Sequence, residues 1–145
     1  MSPAEIARRA QIVAAATEWV GTPYVHQAST IGQGTDCLGL VRGVWRELIG
    51  EEPAPVPPYT PDWTERGGEP LLDAATAFLK RQDRQPLAGD VLFFRVVQGG
   101  PAKHCGIHIG GDRFVHAYSG RAVTASWLSR WWHARLATVC SFPDF

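Results

Sequence analysis

Ile6, Ala10, Val13, Thr17 and Val20 fall at spacings of three and four, the period of one helix face. Ser2-Pro3-Ala4-Glu5 precedes them in capping-box form, and Gly21 with Pro23 supplies the stop. A second stripe, Leu40, Val41, Val44, Trp45 and Leu48, predicts a helix that begins at Asp36 and Cys37 and closes at Gly50. A third helix is predicted from Pro70 to Arg81, with Leu71, Leu72, Ala75, Phe78 and Leu79 on its buried side. The period then changes. Short apolar runs and alternation predict strands over Asp90 to Val97, Cys105 to Ile109, Arg113 to Tyr118 and Leu136 to Phe142.

Helices lead and strands follow, which predicts an α+β fold with helices packed against an antiparallel sheet. Between the second and third helices, residues 51–68 carry Pro53, Pro55, Pro57, Pro58 and Pro61. Proline withholds the donors that a helix interior or central strand requires, so this stretch reads as an extended surface insertion. With 145 residues, 45% of them hydrophobic, residues 1–145 are expected to form a single domain around one core.

Fourteen basic residues balance fourteen acidic ones, so no net field draws the chain to nucleic acid or an anionic membrane. No apolar run approaches the roughly 18 residues of a membrane span. The segment after Arg8 and Arg9 is interrupted by Gln11, Thr17 and Glu18 and does not read as a signal peptide. Synthesis in the cytoplasm is therefore expected, with delivery by something else if the protein acts outside the cell. The three cysteines are widely separated and odd in number, which is not a disulfide framework.

The chemistry gathers at two places. Cys37 is predicted at a helix N-terminus, where unpaired amides lower a thiol pKa and can also hold an oxyanion. A buried, inert cysteine is the plainer reading of the same position. In KHCGIHIGGDRFVHAY, alternation places His104, Gly106 and His108 on one strand face and Cys105, Ile107 and Ile109 on the other. A turn at Gly110 and Gly111 brings His116 opposite or diagonal to His104, which suits a base and the group that orients it. A zinc site from His104, Cys105, His108 and His116 is disfavoured because Cys105 faces away from the histidines. No metal and no cofactor are expected.

GTPY at 21–24, DC at 36–37 followed by Gly39, AGDVLFF at 88–94, HCGIHIG at 104–110 and FVHA at 114–117 resemble, in order and spacing, the motifs of NlpC-type cell-wall peptidases. The resemblance implies a papain-like fold, with the nucleophile helix packed on a central antiparallel sheet. It also implies roles: Cys37 attacks, His104 is the base, His116 orients it, and Tyr24 lies near the oxyanion site. Asp36, Leu38 and His108 are the further positions it places near the substrate. The implied substrate is the peptide stem of bacterial peptidoglycan, cut at the bond between D-glutamate and a diamino acid.

Leu38 stands where the family usually has a serine that helps bind a free amino terminus, which favours intact wall over free muropeptides. His108 stands where tyrosine is common, and is the weaker candidate for a substrate contact. YVHQAS, CLGLVRGVWRELIG and PPYTPDW resemble the subgroup carried by phages, prophages and gene transfer agents. That implies an enzyme borne on a tail and docked to a tail hub or tip protein, acting at the periplasmic cell wall. Trp127, Trp131 and Trp132, or the insertion around Tyr59 and Trp63, are candidate docking aromatics, with covering the edge of the core as the other reading. An amidase or acyltransferase with the same cysteine and histidine, and an inactive structural tail component, are the rival functions.

Overall fold

Ser2 opens the first helix, α1 (Pro3–Glu18), its hydroxyl accepting from the Glu5 amide at 3.1 Å. The computed structural model describes residues 1–61 and 67–145. The buried face of α1 is not the predicted stripe: Ile12, Ala15 and Ala16 lie inside with Trp19, while Ile6 and Val20 are 55% and 48% exposed. Two stripes compete on this helix, and the one with small residues allows the closer approach. The Trp19 ring lies against Gly43 of the second helix, α2 (Cys37–Leu48), in space that a Cβ at Gly43 would occupy.

A short hairpin, β1 (Ser29–Thr30) and β2 (Gly34–Thr35), precedes α2. The remaining strands are β3 (Lys80–Gln82), β4 (Val91–Phe94), β5 (His104–Gly110), β6 (Arg113–His116), β7 (Thr124–Trp127) and β8 (Leu136–Ser141). They form one antiparallel sheet in the order β3-β8-β4-β5-β6-β7. The expected α+β architecture is therefore present. α1 and α2 cover one face through Leu40, Val44, Val91, Phe93, Ile107 and Val115. The other face packs Leu92, Phe94, Phe114, Leu128 and Val139 beneath a short helix, α4 (Arg130–His133).

The third helix, α3 (Pro70–Thr76), is shorter than predicted, and Phe78 is exposed rather than buried. Residues 80–82 leave the helix because they pair with β8, Lys80 opposite Ser141 and Gln82 opposite Val139. Tertiary pairing overrides local propensity there. The proline-rich insertion forms no helix or strand among its described residues, yet it is more than surface: Tyr59 is buried and Val56 packs on the core.

Gly39 shows how tightly α2 is seated. A Cβ there would overlap the Ala28 carbonyl oxygen and come within 2.6 Å of Thr35 Oγ1. The first obstacle is backbone and cannot swing away. Gly39→Ala is expected to lower stability by about 3 kcal/mol, seen as a lower urea midpoint at unchanged slope.

Candidate active site

Asp36 caps α2 in extended backbone, its Oδ1 accepting from the Gly39 amide at 2.7 Å. Its Oδ2 accepts from the Gln27 amide at 2.7 Å and from the Tyr59 hydroxyl. These bonds, drawn from three separate segments, fix the first turn of α2 and with it Cys37, the first helical residue. The amides of that turn have no helical acceptor, so their partial positive charge is directed at the thiol.

The Cys37 thiol titrates far below its ordinary value, at about 5. The largest cause is a hydrogen bond from the Cys105 thiol; burial opposes it, and a hydrogen bond and charge from His104 add to the lowering. Cys105 moves the opposite way, well upward, because its proton is held against the Cys37 sulfur and it is fully buried. Alternation does turn Cys105 away from His104, but towards α2. It is a functional neighbour that spacing alone placed only on the face opposite the histidines.

His104 is the first residue of β5 and His116 the last of β6. Pairs Ile107↔Val115 and His108↔Phe114, continued one step, set His116 opposite Gly106 and diagonal to His104. Gly106 leaves the space: a Cβ there would come within 3.0 Å of His116 Cβ and 2.8 Å of Phe114 Cδ2. His104 Nε2 meets His116 Nδ1 at 2.8 Å, and His116 Nε2 meets Ser126 Oγ at 2.8 Å. Burial, with His104 second, lowers the His116 pKa to about 3, so His116 is neutral near pH 7. When His104 holds two protons it donates from Nε2. His116 must then accept at Nδ1 and donate from Nε2 to Ser126.

Aromatic rings wall this pair. His104 lies 5.4 Å from Trp132, 5.3 Å from Tyr118 and 6.1 Å from Phe94, and His116 lies 4.2 Å from Phe114, all between ring centroids. Trp132 thus belongs to the site's enclosure rather than to a docking patch. Trp127 and Trp131 are exposed, with the guanidinium groups of Arg113 and Arg135 at 5.2 and 3.8 Å from their rings.

A cleft of about 240 Å³ opens on Cys37 and His104, lined also by Tyr24, His26, Asp36, Tyr59, Lys103 and Tyr118. It is smaller than the roughly 300 to 1,000 Å³ of drug-sized ligand sites. Burial, then the charges at Cys37 and Asp36, pushes the Tyr24 hydroxyl up to about 12, so it stays a donor. Leu38, expected near the substrate, instead faces an apolar groove with Val41, Trp45 and Val56, because one helical residue rotates the side chain by about 100°. His108 also lies away from the cleft, its Nδ1 accepting from the Gly110 amide at 3.3 Å. Four residues of strand carry it about 13 Å from His104. Trp63 lies outside the described residues. Among the described residues, no three His, Cys, Asp or Glu side chains are placed to hold a metal.

Sequence reasoning missed Tyr59, Cys105 and Ser126. Cys105 carried a signal in its position beside His104. Tyr59 lies 23 residues from Asp36 in a stretch without periodicity, and Ser126 lies 10 residues from His116 on a strand with little sequence signature, so neither carried one.

The thiolate is the reactive form, present above its pKa and lost as pH falls through it. Alkylation of Cys37 by iodoacetamide is therefore expected to rise with pH to a plateau, with a midpoint near 5. An ordinary, unassisted thiol would instead show a midpoint at about 8.5.

Residues 21–141 match the NlpC/P60 family. The gamma-DL-glutamyl hydrolase of Bacillus subtilis (strain 168) is 30% identical over 134 residues, 92% of this chain and 29% of that protein. The murein DD-endopeptidase MepS/murein LD-carboxypeptidase of Escherichia coli (strain K12) is 32% identical over 120 residues, 81% of this chain and 54% of that protein. The chain thus spans about half or less of these two relatives. Among solved structures, the NlpC/p60 domain of the peptidoglycan hydrolase SagA superposes with a TM-score of 0.61 at 27% identity, covering 92% of this chain and 98% of that one.

Proposed function

The chain belongs to the NlpC/P60 family, with its papain-like α+β fold, and on that premise we propose that it is a cysteine endopeptidase acting on the peptide stems of peptidoglycan. The observation that carries the reading is the Cys37 thiol at the start of α2, ionised by its Cys105 and His104 neighbours and open to the cleft.

Cys37 as thiolate attacks the carbonyl carbon of the scissile amide, and the carbonyl oxygen becomes an oxyanion. The free amides of the first turn of α2 and the Tyr24 hydroxyl are the donors available to it. His104 gives its proton to the departing amine as the C–N bond breaks, leaving a thioester on Cys37. Water, deprotonated by His104, cleaves the thioester and returns the thiolate. His116 holds His104 in orientation throughout.

The two relatives differ in the bonds their names specify: a γ-glutamyl linkage in one, a DD linkage and an LD carboxypeptidase site in the other. For this chain we favour the bond between D-glutamate and the diamino acid. Mass spectrometry of fragments released from isolated walls tests this. A new amino terminus on the diamino acid is expected, whereas a new terminus at the DD cross-link would assign the second specificity.

For delivery, we propose carriage on a phage-like tail to the periplasmic wall, supported by the phage-like wording of YVHQAS and PPYTPDW and by the exposed Trp127 and Trp131. Among the described residues no helix is long and apolar enough to cross a membrane. Proteomics of particles purified from an induced culture of the source strain should find the chain in the particle fraction. Its confinement to the cell fraction would remove the tail assignment.

A further inference from the structure

Lys103 lines the cleft with Cys37, His104 and Tyr24. Its amide donates to the Phe94 carbonyl at 3.1 Å, one step before the ladder that pairs Phe94 with His104, so its backbone is fixed by the sheet. Alternation along β5 gives Lys103 the same side as Cys105. Cys105 is the residue whose thiol meets Cys37, and the Lys103 stem therefore leaves the sheet on the nucleophile's side. Two strand residues span about 7 Å, a distance comparable to the reach of a lysine side chain, so its ammonium can lie over the substrate residue next to the bond under attack.

Seven other cations pair with carboxylates, Arg9 and Arg84 with Asp90, Arg42 and Arg46 with Glu52, Arg95 with Glu69, Arg8 and Lys80 with Asp144; Arg81, Arg113, Arg121, Arg130 and Arg135 pair with none among the described residues, and none of these five lines the cleft. Lys103 has no carboxylate partner among the described residues. Asp36, the carboxylate that lines the same cleft, already accepts from Gly39, Gln27 and Tyr59. Lys103 is half-buried in this cleft, and a carboxylate arriving with a ligand would gain a charge-assisted hydrogen bond from its ammonium.

We propose that Lys103 determines specificity by binding a free carboxylate of the substrate, carried on the residue beside the scissile bond, so that the site takes an acidic stem in preference to its carboxamide. The proposal rests on the peptidase reading above and deepens it. In a γ-linked D-glutamyl stem, the α-carboxylate is such a group, and its amidation removes the charge without changing the size.

Two synthetic peptides test it, L-alanyl-γ-D-glutamyl-diamino acid and the same peptide with the glutamyl α-carboxylate converted to the carboxamide. Wild type is expected to favour the carboxylate by about tenfold or more in kcat/KM. In Lys103→Met the preference should fall to about one, and Lys103→Arg should retain most of it. A wild-type ratio near one, or a ratio that survives Lys103→Met, overturns the proposal. A second readout needs no substrate: the rate of Cys37 alkylation by anionic iodoacetate relative to neutral iodoacetamide. Lys103→Met should lower that ratio severalfold, and an unchanged ratio would place the ammonium elsewhere. If wild type cleaves neither peptide yet releases amino groups from isolated wall, the D-glutamyl bond assignment fails while the peptidase reading stands. If it releases none from wall either, the peptidase reading fails, and in both cases the alkylation ratio decides for or against an anion-binding Lys103.

Discussion

Cys37→Ala is expected to reduce release of amino groups from peptidoglycan by roughly 10⁵-fold or more, to the floor of the assay. The side chain removed is the one that forms the covalent bond, and Cys105 cannot substitute, since its thiol is fully buried and held protonated. Cys37→Ser should fare no better. The environment that ionises a thiol leaves a hydroxyl, with its far higher pKa, in the neutral form. Either variant removes or replaces only the sulfur, so the fold should persist, with far-UV circular dichroism unchanged and the urea midpoint close to that of wild type. A loss of activity accompanied by unfolding would mean that Cys37 serves the core, the plainer reading its sequence position allowed.

His104→Ala is expected to lower kcat/KM by about 10³- to 10⁴-fold. Two effects combine. The thiol loses the hydrogen bond and positive charge that help to ionise it, and the departing amine loses its proton donor. The first effect separates a catalytic from a structural role: the alkylation midpoint of Cys37 should rise above about 5 while circular dichroism stays the same. Adding His104→Ala to Cys37→Ala should cost almost nothing more, because two groups that act as a unit are not additive. If both variants kept their activity, the thiol and imidazole in the cleft would have no part in the reaction.

The site was legible where local chemistry and periodicity agree. The stripe from Leu40 to Leu48 placed the start of α2 at about Asp36 and Cys37, and the helix does begin at Cys37. The Gly110-Gly111 turn and strand alternation were enough to bring His104 and His116 together. Readings failed where the deciding partner is distant in sequence. α1 carried two possible apolar stripes, and Gly43, on another helix, selects the one that ends in Trp19. β3 looked helical until β8 supplied its ladder. β7, with the short sequence TASW, has one large apolar residue and little strand signature. It nonetheless supplies Ser126 to His116. Tyr59 sits in a proline-rich stretch with no periodicity, and its bond to Asp36 is a tertiary event with no local trace.

Leu38 shows a different limit. A motif position identified it as near the substrate, yet helix geometry turns it into the groove beneath the proline-rich insertion. Motif alignment transfers sequence position, whereas side-chain direction depends on the helix around it.

The central claim is that the Cys37 thiolate and His104 hydrolyse wall peptides. Its most direct test is the release of free amino groups from isolated peptidoglycan of several chemotypes by the reduced wild-type protein, with Cys37→Ala run in parallel. The claim predicts steady release from at least one chemotype by wild type and none by the variant; no release from any chemotype, or equal release by both proteins, would contradict it.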